Sequence, residues 1–395
     1  MTSATTTKEF FGHPRGLFVL FFTEMWERFS YYGMRAILVL YLVSQTDAAN
    51  AGLGWANDSA LALYGWYTML VYVASIPGGW LADKFFGQKK SVLYGGILLV
   101  LGHSVLAIEE MWAFYSGLSL IIAGVGMLKP NISTMVGGLY KPGDIRRDKG
   151  FTIFYIGINL GAFLSSLIVG YVGEVMGWHY GFGLAGIGMT LGLIQYVLGQ
   201  KYLKDVGNYI GASKDEEEIA ALNRPLTKIE KDRVVVLFLS FFLVIVFWGA
   251  FEQAGGLMNI YAMENTNRML FGLEVPASWF QSLNAMFIIF LGTAVAAYWA
   301  KRKLRGKLST SLFKMIIGLI IMGTGFFFMS AASTEFETTG SSAMYWLVLA
   351  YLFHTVGELC ISPVALSYIT KLAPLKYASL MMGVYFAMTG FGNKL

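Results

Sequence analysis

Charge is scarce in this sequence. Only 13% of its 395 residues are Asp, Glu, Lys or Arg, while 56% are hydrophobic. A soluble domain carries roughly a quarter charged residues, so the deficit excludes an ordinary soluble fold and points to an all-α polytopic membrane protein. Cysteine is rarer still: one residue, Cys360, excludes a disulfide framework within the chain and any cysteine-rich metal site. There is no HExxH, no paired Asp-rich diphosphate motif and no Gly-x-Ser-x-Gly turn, which leaves an enzyme reading little support. No cleavable signal precedes the first long apolar segment, so that segment is expected to direct insertion itself. What the chain has in quantity is glycine (46 residues), which suits close helix packing in lipid. Its 16% aromatic content suits interfacial belts and a lined cavity.

Eleven segments are long enough to span a bilayer, at about 16–44, 61–82, 90–108, 112–138, 151–173, 180–200, 234–263, 277–300, 310–332, 343–370 and 377–395. The connections between them differ in charge by parity. Odd-to-even connections carry Asp47, Asp58, Glu109, Glu110, Glu335 and Glu337, with Arg268 as their one basic residue. Even-to-odd connections carry Lys84, Lys89 and Lys90, then Lys141, Arg146, Arg147 and Lys149. Further along come Lys301, Arg302, Lys303, Arg305 and Lys307, and finally Lys371 and Lys376. The positive-inside rule therefore places these loops and the N-terminus in the cytoplasm; the membrane expected is the cell (inner) membrane. The net charge of +5 is explained by this topology and implies no nucleic-acid surface.

The one long polar stretch, Lys201 to Arg233, contains the acidic run Asp215 to Glu218 and reads as a solvated cytoplasmic linker. It is expected to divide a six-helix bundle (1–200) from a second bundle (234–395). Six segments before it and five after suggest two bundles of six with the twelfth helix absent from this chain.

Charges at membrane depth fall on segments one, four, seven and ten only. Segment one reads TEMWERFSYYGMR from Thr23 to Arg35, and its Glu24, Glu27, Arg28, Tyr31 and Arg35 share one helical face. A charged stripe of this kind must face a protein-lined, watered cavity, because facing lipid costs several kcal/mol per charge. Segment four carries Lys129 in GMLKPNIS, where Pro130 can loosen a turn. Segment seven carries Glu252 in WGAFEQAGG, whose glycines would let the helix bend, and segment ten carries Glu358, four residues after His354. Spacing every third helix is the pattern of nested three-helix repeats around a central site. The stretch GGWLADKFFGQKK, from Gly78 to Lys90, closes segment two and reads as a gating hinge.

Together these stretches resemble the proton-coupled oligopeptide transporter family of the major facilitator superfamily. EMWERFSYYG looks like its helix-one ExxER motif, and GGWLADKFFG is similar to the superfamily's loop between helices two and three. FTIFYIGINLGAF (Phe151 to Phe163) resembles the second family signature, and FWGAFEQAG, FQSLNA and GELCISP resemble stretches of helices seven, eight and ten. The resemblance implies proton-coupled import of di- and tripeptides by alternating access, with a co-transported proton and no resident cofactor. The partners implied are the peptide, protons and the lipid bilayer, with the monomer as the functional unit. It further implies that Glu24, Glu27, Arg28 and Glu252 couple the proton, with Arg35 pairing with Glu252. Arg35 and Lys129 would hold the peptide carboxylate, and Asn159, Asn284 and Glu358 its amino end. Tyr31, Tyr32, Tyr67 and Tyr72 would line the pocket, with Trp248 and Tyr385 shaping side-chain space. The linker is too short for the extra helical hairpin of many bacterial members, and Tyr385 stands where the family often has tryptophan.

Two other readings stay open on the sequence: a same-fold transporter of nitrate or a single amino acid, and a non-transporting membrane sensor.

Overall fold

The computed structural model describes residues 9–141, 144, 146–204, 206–208, 225–374 and 378–395. Most of the expected linker, with its acidic run, lies outside the described residues. The protein is a multi-pass, all-α membrane protein, and the strands among its described residues are two residues long. Eight helical stretches among the described residues are long and apolar enough to cross a bilayer. One of them, Asn57–Leu106, holds two of the expected segments. The helix Arg15–Val43 (α1) falls outside that set despite its length, which follows from its charged stripe. The last helix, Ala378–Lys394, has 17 residues.

Contacts divide the chain into two compact units, residues 1–35 with 74–211 and residues 36–73 with 212–395. The first unit holds the N-terminal part of α1 with α3 (Ser75–Leu81), α4 (Gly87–Leu106), α5 (Met111–Gly138), α6 (Arg147–Tyr171) and α7 (Trp178–Gly199). The second holds α2 (Asn57–Val73), α8 (Lys228–Phe251), α9 (Leu257–Glu264) and α10 (Ser282–Leu304). It also holds α11 (Ser311–Thr339), α12 (Met344–Leu372) and α13 (Ala378–Lys394).

In the first unit, glycine decides how closely helices approach. Lipid supplies no hydrophobic drive between helices, so backbone proximity and dispersion must do that work. A Cβ on Gly102 would lie 3.0 Å from the Gly117 carbonyl oxygen, and one on Gly117 would lie 2.9 Å from that of Gly102. This reciprocal contact locks α4 to α5. In the second unit Gly318 of α11 and Gly357 of α12 face each other in the same way, each hypothetical Cβ 2.7 Å from the other's carbonyl oxygen. The N-terminal part of α1 lies in a bed of small residues, with Gly157 and Gly161 of α6 on one side and Gly188, Gly192 and Gly199 of α7 on another.

The connection expected around 83–89 is shorter than a loop. After α3 one π-helical turn, Ala82–Phe86, runs straight into Gly87, whose φ of +73° reverses the chain and opens α4. At the other end of the unit's sequence, a hairpin of Glu9–Phe10 and His13–Pro14 is clasped by Arg146. That guanidinium donates to Glu9 (2.7 Å), to the Gly12 carbonyl (3.2 Å) and to both Asp144 oxygens. Hydrogen bonds from Arg146 pull the Asp144 carboxyl down to about 2. Tyr140, pushed up to about 12 by burial, keeps the hydroxyl that meets His13 Nδ1 at 2.8 Å.

The core of the second unit gathers Leu237, Phe241, Val244 and Phe247 of α8 with Met315 and Met322 of α11, Ile361 of α12 and Tyr385 of α13. Arg268, the basic exception among the acidic connections, is paired with Glu274 at 2.7 Å beside the short hairpin Met269–Leu270 and Leu273–Glu274.

Candidate functional site

The candidate residues form one constellation in each unit. In the first, α1 carries a closed ionic triad. Arg28 bonds Glu24 Oε1 through Nη2 at 2.7 Å and through Nε at 2.8 Å, and its Nε lies 3.2 Å from Glu27 Oε2. Spacings of one and four residues put both carboxylates within reach of one guanidinium. Both glutamates are wholly buried and Arg28 is 6% exposed. Glu27 Oε1 has no hydrogen-bond partner among the described residues, so this oxygen can take a proton without breaking a bond. Lys129 of α5 shares the electrostatic field of Arg28, Tyr32, Glu27 and Glu24. Counting Lys129, the group holds two anions and two cations.

One turn further along, Tyr32 lies between two guanidiniums, with Arg35 4.8 Å and Arg28 5.8 Å from its ring centroid. Arg35 also lies 6.0 Å from the Tyr31 ring. The face expected on α1 thus exists, and its cations are held over aromatic rings. Pro130 leaves α5 helical throughout Met111–Gly138. Asn159 of α6 is buried and donates to the Tyr155 carbonyl at 2.9 Å, a bond within its own helix.

The second constellation is built at a broken helix. Helix α8 ends at Phe251, a 3-10 turn spans Glu252–Ala254, and α9 starts at Leu257. Where the glycines predict a bend, the helix is interrupted outright. Glu252, 5% exposed, accepts a 2.5 Å hydrogen bond from the Tyr64 hydroxyl of α2. Gly255 makes that approach possible, because any Cβ there would collide with the same hydroxyl. Tyr64 carries neither charge nor motif that marks it in the sequence. The available signal was its position three residues before Tyr67, on the same face of an apolar helix.

Asn284 of α10 and Glu358 of α12 come together, with Asn284 Nδ2 donating to Glu358 at 2.8 Å and to Thr355 Oγ1 at 3.1 Å. Thr355, also unanticipated, fixes the amide from one turn earlier on α12. His354 packs against Gly325 and the Phe326 ring, with centroids 4.5 Å apart, and its ring nitrogens have no partner among the described residues. It is a packing residue. Tyr67 is buried and Tyr72 half-buried. Tyr385 is 4% exposed in the unit's core, and Trp248 packs against that core between the Phe247 and Phe251 rings. The break leaves a further mark on α1: Asn259 of α9 and Gln281 both donate to the Ala36 carbonyl, at 2.8 and 3.3 Å.

Comparison with known proteins gives one consistent picture. The sequence model of the POT family matches residues 89–214 and 214–395. A di-/tripeptide transporter of Lactococcus lactis subsp. cremoris is 38% identical over 96% of this chain and 88% of its own length. Peptide transporter YePEPT of Yersinia enterocolitica is 34% identical over 100% of this chain and 89% of its own. YclF of Bacillus subtilis, an uncharacterized transporter, is 40% identical over 96% and 86%. Among solved structures, a peptide transporter POT in complex with sulfate has a TM-score of 0.88 at 37% identity, covering 98% of this chain and 88% of that one. A POT family transporter in complex with 5-aminolevulinic acid has a TM-score of 0.87 at 32% identity, covering 98% and 90%.

Proposed function

The chain belongs to the POT family of transporters, and from that premise we propose that it is a proton-coupled symporter importing di- and tripeptides by alternating access. The observation that carries the coupling is the buried Glu24–Arg28–Glu27 triad, with a carboxylate oxygen left unbonded on Glu27. In a membrane helix such a group is expensive, and its use as a proton relay explains its presence. Protonating Glu27 takes the group with Lys129 from neutral to a net positive charge, which favours binding of the peptide carboxylate at Arg35 and Lys129. Glu358, oriented by Asn284, suits the ammonium end. Recognition through termini shared by all short peptides accounts for tolerance of side-chain variety. Glu252, on a broken helix and bonded to Tyr64, is the second proton carrier. The N-terminus lies in the cytoplasm and the protein acts as a monomer in the cell membrane.

A second reading, transport of a small amino acid, draws on the relative that holds 5-aminolevulinic acid, a compound with an amine, a carboxylate and no peptide bond. One experiment separates the two. The chain is reconstituted in liposomes and labelled dialanine uptake is measured under an imposed inside-negative potential. Accumulation abolished by a protonophore and by unlabelled dipeptides, and untouched by free amino acids, supports the peptide symporter. Competition by amino acids instead of dipeptides moves the assignment to the second reading.

A further inference from the structure

Away from both constellations, the second unit has an open cavity of about 500 Å³ lined by α10, α11 and α12. Its walls are apolar, including Phe313, Val356 and Cys360, except where Trp299 and Arg302 close one end and Tyr298 forms an exposed rim. That volume falls within the range that holds a drug-sized molecule or a stretch of acyl chain. The end with Arg302 is the basic end of the unit. Lys301, Arg302, Lys303, Arg305, Lys307 and Lys314 lie within fourteen residues, and no Asp or Glu occurs between Glu274 and Glu335. Among the described residues Arg302 uses Nε alone for a hydrogen bond, donating to the Leu308 carbonyl at 2.8 Å while stacking 5.3 Å from the Phe313 centroid. Lys314 lies 5.4 Å from the Trp299 ring. No carboxylate pairs with either cation among the described residues.

We propose that this cavity is a binding site for an anionic phospholipid, with an acyl chain in the apolar pocket and the phosphate on Arg302 and Lys314. Charge complementarity selects the occupant. An uncharged guest would use the apolar walls and leave two half-buried cations without an anionic partner, whereas the cytoplasmic leaflet supplies anionic headgroups at the depth where helix ends carry basic residues. The site also backs the substrate machinery. Val356 and Cys360 are two residues either side of Glu358, about 200° around α12, so a lipid in the cavity supports the helix from behind its ligand-bearing face. The proposal does not depend on the transported solute.

The test uses Trp299 as a reporter. Brominated phosphatidylglycerol and brominated phosphatidylcholine each quench tryptophan on contact, and the difference between wild type and W299F isolates the Trp299 contribution. In wild type this contribution should prefer phosphatidylglycerol. In R302Q/K314Q the preference should fall roughly 30-fold, about fivefold for each cation lost, while R302K/K314R retains it. Raising salt to about 1 M in the wild type, where the screening length is about 3 Å, should reduce the preference without any substitution. Equal quenching by the two lipids in wild type, or a preference unchanged in R302Q/K314Q and at high salt, would overturn the proposal.

Discussion

Replacing Glu27 with glutamine removes one negative charge from the α1 triad while keeping the side chain's size. Arg28 lies 3.2 Å from Glu27 and 2.7 Å from Glu24, so it remains paired after the substitution. At an effective dielectric of about 20, the lost attraction is about 5 kcal/mol gross. Burying one fewer ion returns several kcal/mol of desolvation, so the net stability change should stay within about 2 kcal/mol. Transport should change far more. With Glu24, Arg28 and Lys129 unaltered, E27Q holds the group permanently at the charge it has when Glu27 is protonated. The proton then has no carrier here, and the membrane potential loses its hold on the solute. A potential of 100 mV supplies about 2.3 kcal/mol per charge, an accumulation of about 50-fold. In proteoliposomes with an inside-negative potential, E27Q should bring labelled dialanine only to its outside concentration. Counterflow exchange, which needs no net proton movement, should stay within a few-fold of wild type. Tens-fold accumulation by E27Q would refute the role assigned to Glu27.

Three further outcomes follow from the same geometry. E358Q removes the anion that Asn284 orients and should weaken zwitterionic dipeptides by roughly 10- to 100-fold, the worth of a charged hydrogen bond. Inhibition constants for N-acetylated dipeptides, which lack the ammonium, should barely move. Gly78 and Gly79 are neighbours with opposite expectations: a Cβ on Gly78 collides with the Gly126 carbonyl, whereas Gly79 has nothing within 4 Å. G78A should therefore cost about 1–3 kcal/mol or more in overpacking, and G79A should leave the unfolding temperature of purified protein unchanged. The Asp144 carboxyl is depressed to about 2 by Arg146, below its unfolded value near 3.9. The stabilisation from that pair is complete above about pH 4 and is lost as pH falls through about 2. Hydrogen exchange in residues 9–14, corrected for intrinsic rates, should then be flat from pH 5 to 8 and faster in R146Q.

How much was legible beforehand depended on the range of the interaction. Apolar length and the parity of basic loops report on each segment separately, because every span must satisfy its own backbone in lipid. The charged face of α1 was legible for a related reason: Glu24, Glu27 and Arg28 are neighbours on one helix, so their spacing already implies the triad. The bend expected after Glu252 was equally local, written in Gly255 and Gly256, though the structure turns it into a break. By contrast, the loop expected between segments two and three depended on how a single glycine reverses the chain. It proved to be one π-helical turn closed by Gly87.

What the sequence determined by itself was therefore the spans, their charged stripe and the place where a helix can bend. All of these follow from rules acting along one helix. Only the tertiary structure decided that Tyr64 bonds Glu252, that Thr355 and Asn284 hold Glu358 in place, and that His354 is packed between Gly325 and Phe326. Those partners lie 71, 74 and 188 residues apart where they bond, on helices whose rotation is set by glycine contacts such as Gly318 with Gly357. A periodic pattern says which face of a helix is polar. Which residue of another helix meets that face is settled by how closely the backbones pack.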